Sequence, residues 1–352
     1  MRNKHRNLLS VALVLLCIAL LAGTAVLLLR TLPKKQPGTV DTIQTGAVFD
    51  QTDNTAAPDR EQAYDGELPN LSDTLEPDEA ETPAPEDEAA LAAAKLADQT
   101  LASMTLDEKL WQLFFVTPEA ITKVETATLA GEATKAAIES QPVGGLVYFA
   151  KNLENRAQTV TLLENSQSYS KIPLFLGVDE EGGTVSRLKT SGLAIDTGVG
   201  TADDHEGSVT VDKTLEELES CDLIPYRRLL AGQNVPFIMV THLSYPALTG
   251  GDTPADLSSE IVTDLLRNKL GYSNVIITDS HQMASITDHY TSGEAAVKAL
   301  QAGVDMILMP QDLQAAFDGV KQALSDGTLT QARIDESVLR ILQVKAEYNI
   351  LQ

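Results

Sequence analysis

The stretch PLFLGVDEEGG, residues 173–183, decides the fold. Pro173 to Val178 form an unbroken apolar run. Asp179, Glu180 and Glu181 follow at once, closed by Gly182 and Gly183. A continuous apolar run is how a parallel strand covered on both faces reads. Burying an unpaired carboxylate is costly, so the end of this strand must open on a polar cleft. Asp179, tied to the Gly182-Gly183 turn, is the functional candidate. Glu180 and Glu181 are expected to be solvated loop residues.

The same pattern recurs on either side. Apolar runs at 113–116, 144–150, 236–242, 274–280 and 305–310 join 173–179 to give six candidate strands. Most are separated by helical patterns, as in NRAQTVTLLENSQSYS, SSEIVTDLLRNKLG and LQAAFDGVKQALSDG. Thr105 and Glu108 have the spacing of a capping box, which predicts a helix start there. Strands alternating with helices imply an α/β fold with a parallel sheet. Polar residues sit where strands end: Asp179, Thr241 with His242, and Asp279. In parallel α/β sheets and barrels the carboxyl ends of the strands form the active face.

The chain has 352 residues and a formal net charge of −24. That acid excess argues against nucleic acid as a partner, because phosphates attract basic surfaces. Two cysteines, Cys17 and Cys221, are too few for a disulfide framework or a cysteine zinc site. Arg2, Lys4 and Arg6 precede an apolar stretch at 8–29, long enough to span a bilayer core of about 30 Å. Residues 1–35 therefore read as a signal anchor, with a cleaved signal peptide as the rival. Residues 36–89 are rich in Asp, Glu, Pro, Thr and Ala and read as an acidic disordered linker. Residues 90–352 form the folded domain. The expected location is membrane-anchored and extracytoplasmic, or secreted if the signal is cleaved.

MTLDEKLWQLFFV, GGLVYFAKN, LGVDEEGGTVSRL, VPFIMVTHLSYPAL, PADLSSEIVTDLLRNKLGYSNVIITDS and EAAVKALQAGVDMILMP follow one another along the chain. In that order they resemble glycoside hydrolase family 3, and within it the β-N-acetylhexosaminidase branch. The resemblance covers residues from about 104 to the end. It implies a TIM-like (β/α) barrel that removes terminal β-linked N-acetylglucosamine with retention, from cell-wall glycan, without metal or organic cofactor. It places the nucleophile at Asp279 in VIITDS. A carboxylate there can attack the anomeric carbon and hold a glycosyl intermediate. It places the acid/base at His205, oriented by Asp203, in TADDHEGS; imidazole titrates near neutrality and can give and take the proton. Asp179 matches the carboxylate that grips the sugar hydroxyls. His242 is a candidate pocket residue or a satisfied neighbour of the pocket. Arg187 is expected in a structural or rim role, and His281 and His289 are assigned no chemistry.

The chain departs from the family between about residues 194 and 198. Two strand–helix units expected there, with their Arg and Lys-His sugar-gripping motifs, are missing. Six candidate strands stand against the eight of a closed barrel. The expectation is a barrel lacking about two units, with two unpaired edges or a smaller closure. The alternative function is a non-catalytic glycan-binding or remnant module on the same anchor. A β-glucosidase is a weaker rival. Oligomeric state is not legible in the sequence.

Overall fold

A computed structural model describes residues 85–182, 185–188, 208–232 and 234–352. The chain enters through α1 (Pro85–Ser103) and α2 (Leu106–Gln112), which lead into β1 (Phe114–Val116). Then come α3 (Pro118–Thr122), α4 (Glu132–Ser140), β2 (Gly145–Tyr148), α5 (Arg156–Ser168) and β3 (Phe175–Val178). A short hairpin follows, β4 (Glu180–Gly182) with β5 (Val185–Ser186). After it stand α6 (Leu215–Ser220), α7 (Ile224–Gly232), β6 (Phe237–Val240) and α8 (Pro246–Thr249). A wide-turned π-helix, Glu260–Lys269, precedes β7 (Val275–Ser280). The chain ends with α9 (Ala284–Thr287), α10 (Ser292–Ala302), β8 (Met306–Leu308), α11 (Leu313–Ser325) and α12 (Gln331–Glu347).

Each of the six apolar runs is a strand, and together they form one parallel sheet in the order β3-β2-β1-β8-β7-β6. β1, β2, β3 and β8 are buried at every position, as continuous apolar runs require. β3 and β6 are the two edges. The sheet curls until these edges meet through their first side chains. The rings of Phe175 on β3 and Phe237 on β6 cross edge-to-face with centroids 4.8 Å apart, although the two strands do not pair.

Local chemistry sets the helix starts. Thr105 and Glu108 make the reciprocal capping box expected for α2, and Thr214/Glu217 and Thr291/Glu294 repeat it at α6 and α10. Two boundaries differ from the expectation. α1 begins at Pro85, so the last residues assigned to the linker are helical. Proline suits a first helical turn. The pattern TLEELESCDLIPYRRLLAGQ predicts one long helix from Thr214, but it breaks into α6 and α7 around Cys221 and Asp222. Among the described residues no helix is long and apolar enough to cross a membrane. The anchor at 1–35 and residues 36–84 of the linker lie outside the described residues.

Candidate active site

The carboxyl ends of the parallel strands place Asp179 directly after β3, His242 two residues after β6, and Asp279 as the penultimate residue of β7. Asp203 and His205 lie outside the described residues. Arg187 reaches back from the hairpin: its Nη2 donates to Asp179 Oδ2 at 2.9 Å, while its guanidinium stands 5.5 Å from the centre of the Phe149 ring. Arg187 is thus the partner of Asp179, within the structural or rim role expected of it.

Glu180 corrects the expectation of a solvated loop residue. It is 5% exposed, and its Oε2 accepts the backbone N–H groups of Arg187 at 2.8 Å and Leu188 at 3.0 Å. The carboxylate folds the hairpin back on itself and so carries Arg187 to Asp179. Backbone N–H groups removed from water need an acceptor, and a carboxylate is a strong one.

Asp279 is half-buried, and its Oδ1 accepts the Ser280 N–H at 2.7 Å. Behind it lies a buried cluster. His242 Nε2 donates to the Ser280 carbonyl at 3.0 Å, and its Nδ1 lies 3.0 Å from Asp256 Oδ1. His281 Nε2 donates to Asp256 Oδ2, also at 3.0 Å. Burial disfavours charge on His242, yet Asp256, the Ser280 carbonyl and Asp279 together hold its pKa above the ordinary histidine value. Burial likewise pushes Asp256 up, but the two imidazoles outweigh it and hold the carboxyl below the usual aspartate range. His242 is therefore packed behind the nucleophile candidate, with both ring nitrogens facing acceptors. The meeting of Asp256 and His281 with His242 is not legible in the sequence. No pattern within either local sequence marks them, because they meet only when the turn at 255–257 folds over the ends of β6 and β7.

A backbone feature at the same edge also escaped the sequence. Met309, just past β8, has φ of +47°, and its N–H donates to the Phe115 carbonyl at 2.9 Å. A left-handed conformation in a residue other than glycine is a strained one of the kind that gathers at functional sites.

The sequence profile of the Glycosyl hydrolase family 3 N terminal domain matches residues 105–194 and 195–344. The chain belongs to glycosyl hydrolase family 3. The two matched pieces abut where the sequence reading puts the missing segment. This family 3 chain is 24% identical to Beta-hexosaminidase A of Pseudoalteromonas piscicida over 324 residues, covering 60% of this chain and 54% of that protein. An alignment that long, with so small a share of this chain in it, leaves a long segment of the relative unmatched here. It is 28% identical to an uncharacterized secreted glycosyl hydrolase of Arthroderma benhamiae over 246 residues, covering 63% of this chain and 65% of that protein. Among solved structures it resembles a family 3 β-N-acetylglucosaminidase from Paenibacillus sp. str. FPU-7, with a TM-score of 0.60 and 25% identity. That match covers 70% of this chain and 63% of the other. The family 3 chain thus spans about half to two thirds of the length of these three proteins.

Proposed function

We propose that this family 3 member is a retaining exo-β-N-acetylglucosaminidase acting on terminal β-linked N-acetylhexosamine, such as cell-wall glycan fragments. The observation that carries the reading is the family match together with Asp279 at the carboxyl end of a central parallel strand. In this reading Asp279 is the nucleophile, and its carboxylate forms the glycosyl–enzyme bond as the leaving oxygen departs. His205, oriented by Asp203, protonates that oxygen and then takes a proton from the attacking water. Asp179, held by Arg187, grips the sugar hydroxyls, and His242 steadies the strand end from behind. The fold is a TIM-like barrel short of two strand–helix units, in keeping with six strands and a family match in two abutting pieces. The whole is read as tethered outside the cytoplasm by residues 1–35 through the acidic linker.

A specific observation also favours a second reading. The sugar-gripping Arg and Lys-His motifs expected between about 194 and 198 are absent from the sequence, as a non-catalytic glycan-binding module would allow. Hydrolysis of a chromogenic N-acetyl-β-D-glucosaminide decides between them. The enzyme reading expects turnover that Asp279→Asn lowers by about three orders of magnitude or more. Turnover unchanged in that variant rules out Asp279 as nucleophile. Sugar binding by a folded protein without turnover establishes the binding module.

A further inference from the structure

We propose that Asp256 is a positioning residue for Asp279: it holds His242 as an imidazolium, and through His242 and His281 it fixes the irregular stretch of β7 that carries Asp279. The proposal rests on the reading of Asp279 as the nucleophile. β7 needs such an anchor because its pairing is irregular at that residue. Ile277 is in register with Met306 and Ser280 with Leu308, so three steps along β7 face two along β8. An extra residue of this kind marks a bulge, which re-aims a side chain and is common beside active sites. The Leu308 N–H donates to the Thr278 hydroxyl at 3.0 Å, so a side chain takes part in the pairing. Asp279 lies inside the bulge, between the two positions in register. Regular pairing does not set its direction there, so other groups must.

The bulge is held just past Asp279. The His281 backbone N–H donates to the Leu308 carbonyl at 2.9 Å. His242 Nε2 donates to the Ser280 carbonyl at 3.0 Å, and His281 Nε2 donates to Asp256 Oδ2 at 3.0 Å. Both imidazoles converge on Asp256, because its other oxygen, Oδ1, lies 3.0 Å from His242 Nδ1. One carboxylate thus ties the end of β6 and the 255–257 turn to the two residues that follow Asp279. The three side chains are buried together, at 5%, 0% and 1% exposure for His242, Asp256 and His281.

The protonation of His242 follows from its neighbours. Each ring nitrogen faces an acceptor, the Ser280 carbonyl on one side and the Asp256 carboxylate on the other. A neutral imidazole has a single N–H, and its bare nitrogen would meet an acceptor at 3.0 Å. The ring therefore carries two protons. Asp279 adds a second negative charge near it, and His281, with its ring centre 5.5 Å away, is the remaining titratable neighbour among the described residues. A buried cation is tolerated only while its partner is ionised. Asp256→Asn removes that charge and keeps the shape. His242 then gives up a proton and one of its two contacts, and the hold on residues 280–281 loosens.

The test compares the full chain with its Asp256→Asn variant by two measurements. One is the nitrogen NMR of histidine-labelled protein across a pH series; the other is hydrolysis of a chromogenic N-acetyl-β-D-glucosaminide. In the parent the His242 ring is expected to keep both protons above the ordinary histidine midpoint of about 6.5, and Asp256→Asn is expected to bring its midpoint down. The kcat of the variant is expected to fall about 100-fold, the effect of displacing a reacting group by about 1 Å, with KM little changed. A role confined to stability would move neither the midpoint nor kcat at fixed KM. A folded Asp256→Asn variant with the parent's kcat overturns the proposal. So does a parent in which no histidine ring keeps both protons above that midpoint, a result that needs no variant to fold. Should the parent show no turnover, the glycosidase reading fails, and the NMR titration alone decides the Asp256–His242 pair: a doubly protonated His242 supports it and a singly protonated one overturns it.

Discussion

Lys345 shows how much one buried charge can set. It lies on α12, is fully buried, donates to Gln112 Oε1 at 2.6 Å and stands 4.9 Å from the centre of the Phe175 ring. Burial pushes its pKa from 10.5 down to about 7. Between those two values the unfolded chain holds a proton that the folded chain has released. Stability therefore rises with pH across the window from about 7 to 10.5, and is flat with respect to this group on either side. Urea denaturation at a series of pH values should show that rise, and Lys345→Met should abolish this part of it. A profile unchanged by the substitution would mean that Lys345 stays protonated in the fold.

Elements in this chain are fitted to one another by what they leave out. α10 and α11 pack with their backbones nearly touching: a methyl group on Gly319 would come within 2.6 Å of the Gly293 Cα. The near neighbours are backbone, which cannot turn aside as a side chain can. Gly319→Ala is expected to cost about 1–3 kcal/mol in denaturant unfolding, despite the better helix propensity of alanine. A stabilised variant would show that the two helices separate at little cost. The β4–β5 hairpin makes the opposite point, since Glu180 creates its contacts by accepting two backbone N–H groups. Sequence periodicity located every strand of the main sheet but not this hairpin, which is held by a side chain to backbone bond rather than by an apolar face.

At the scale of the whole molecule, six strands curl without completing their ladder. The outer sides of the edges β3 and β6 pair with no strand of the main sheet among the described residues, and the contact of Phe175 with Phe237 bridges the two strands at their amino ends. Phe175 is 4% exposed. Phe175→Ala should cost about 3–5 kcal/mol and free the two edges, so light scattering should show association that the parent lacks. A monodisperse Phe175→Ala variant of unchanged stability would mean that the edges are protected by other means.

The sequence by itself determined the local and the periodic: six apolar strands, the Thr105–Glu108 capping box, the α/β class, the family, and the placing of Asp179, His242 and Asp279 at strand ends. These follow from patterns a few residues long, where side-chain period and hydrogen-bonding preference act on near neighbours. Only the tertiary structure decided that Glu180 is buried, that Arg187 serves Asp179, that Asp256 and His281 meet His242, and that Phe175 closes on Phe237. Each of those depends on the curl of the sheet, which brings together residues that no local pattern links. Burial then removes the water that would otherwise satisfy them, so their charges and hydrogen bonds must be met by one another.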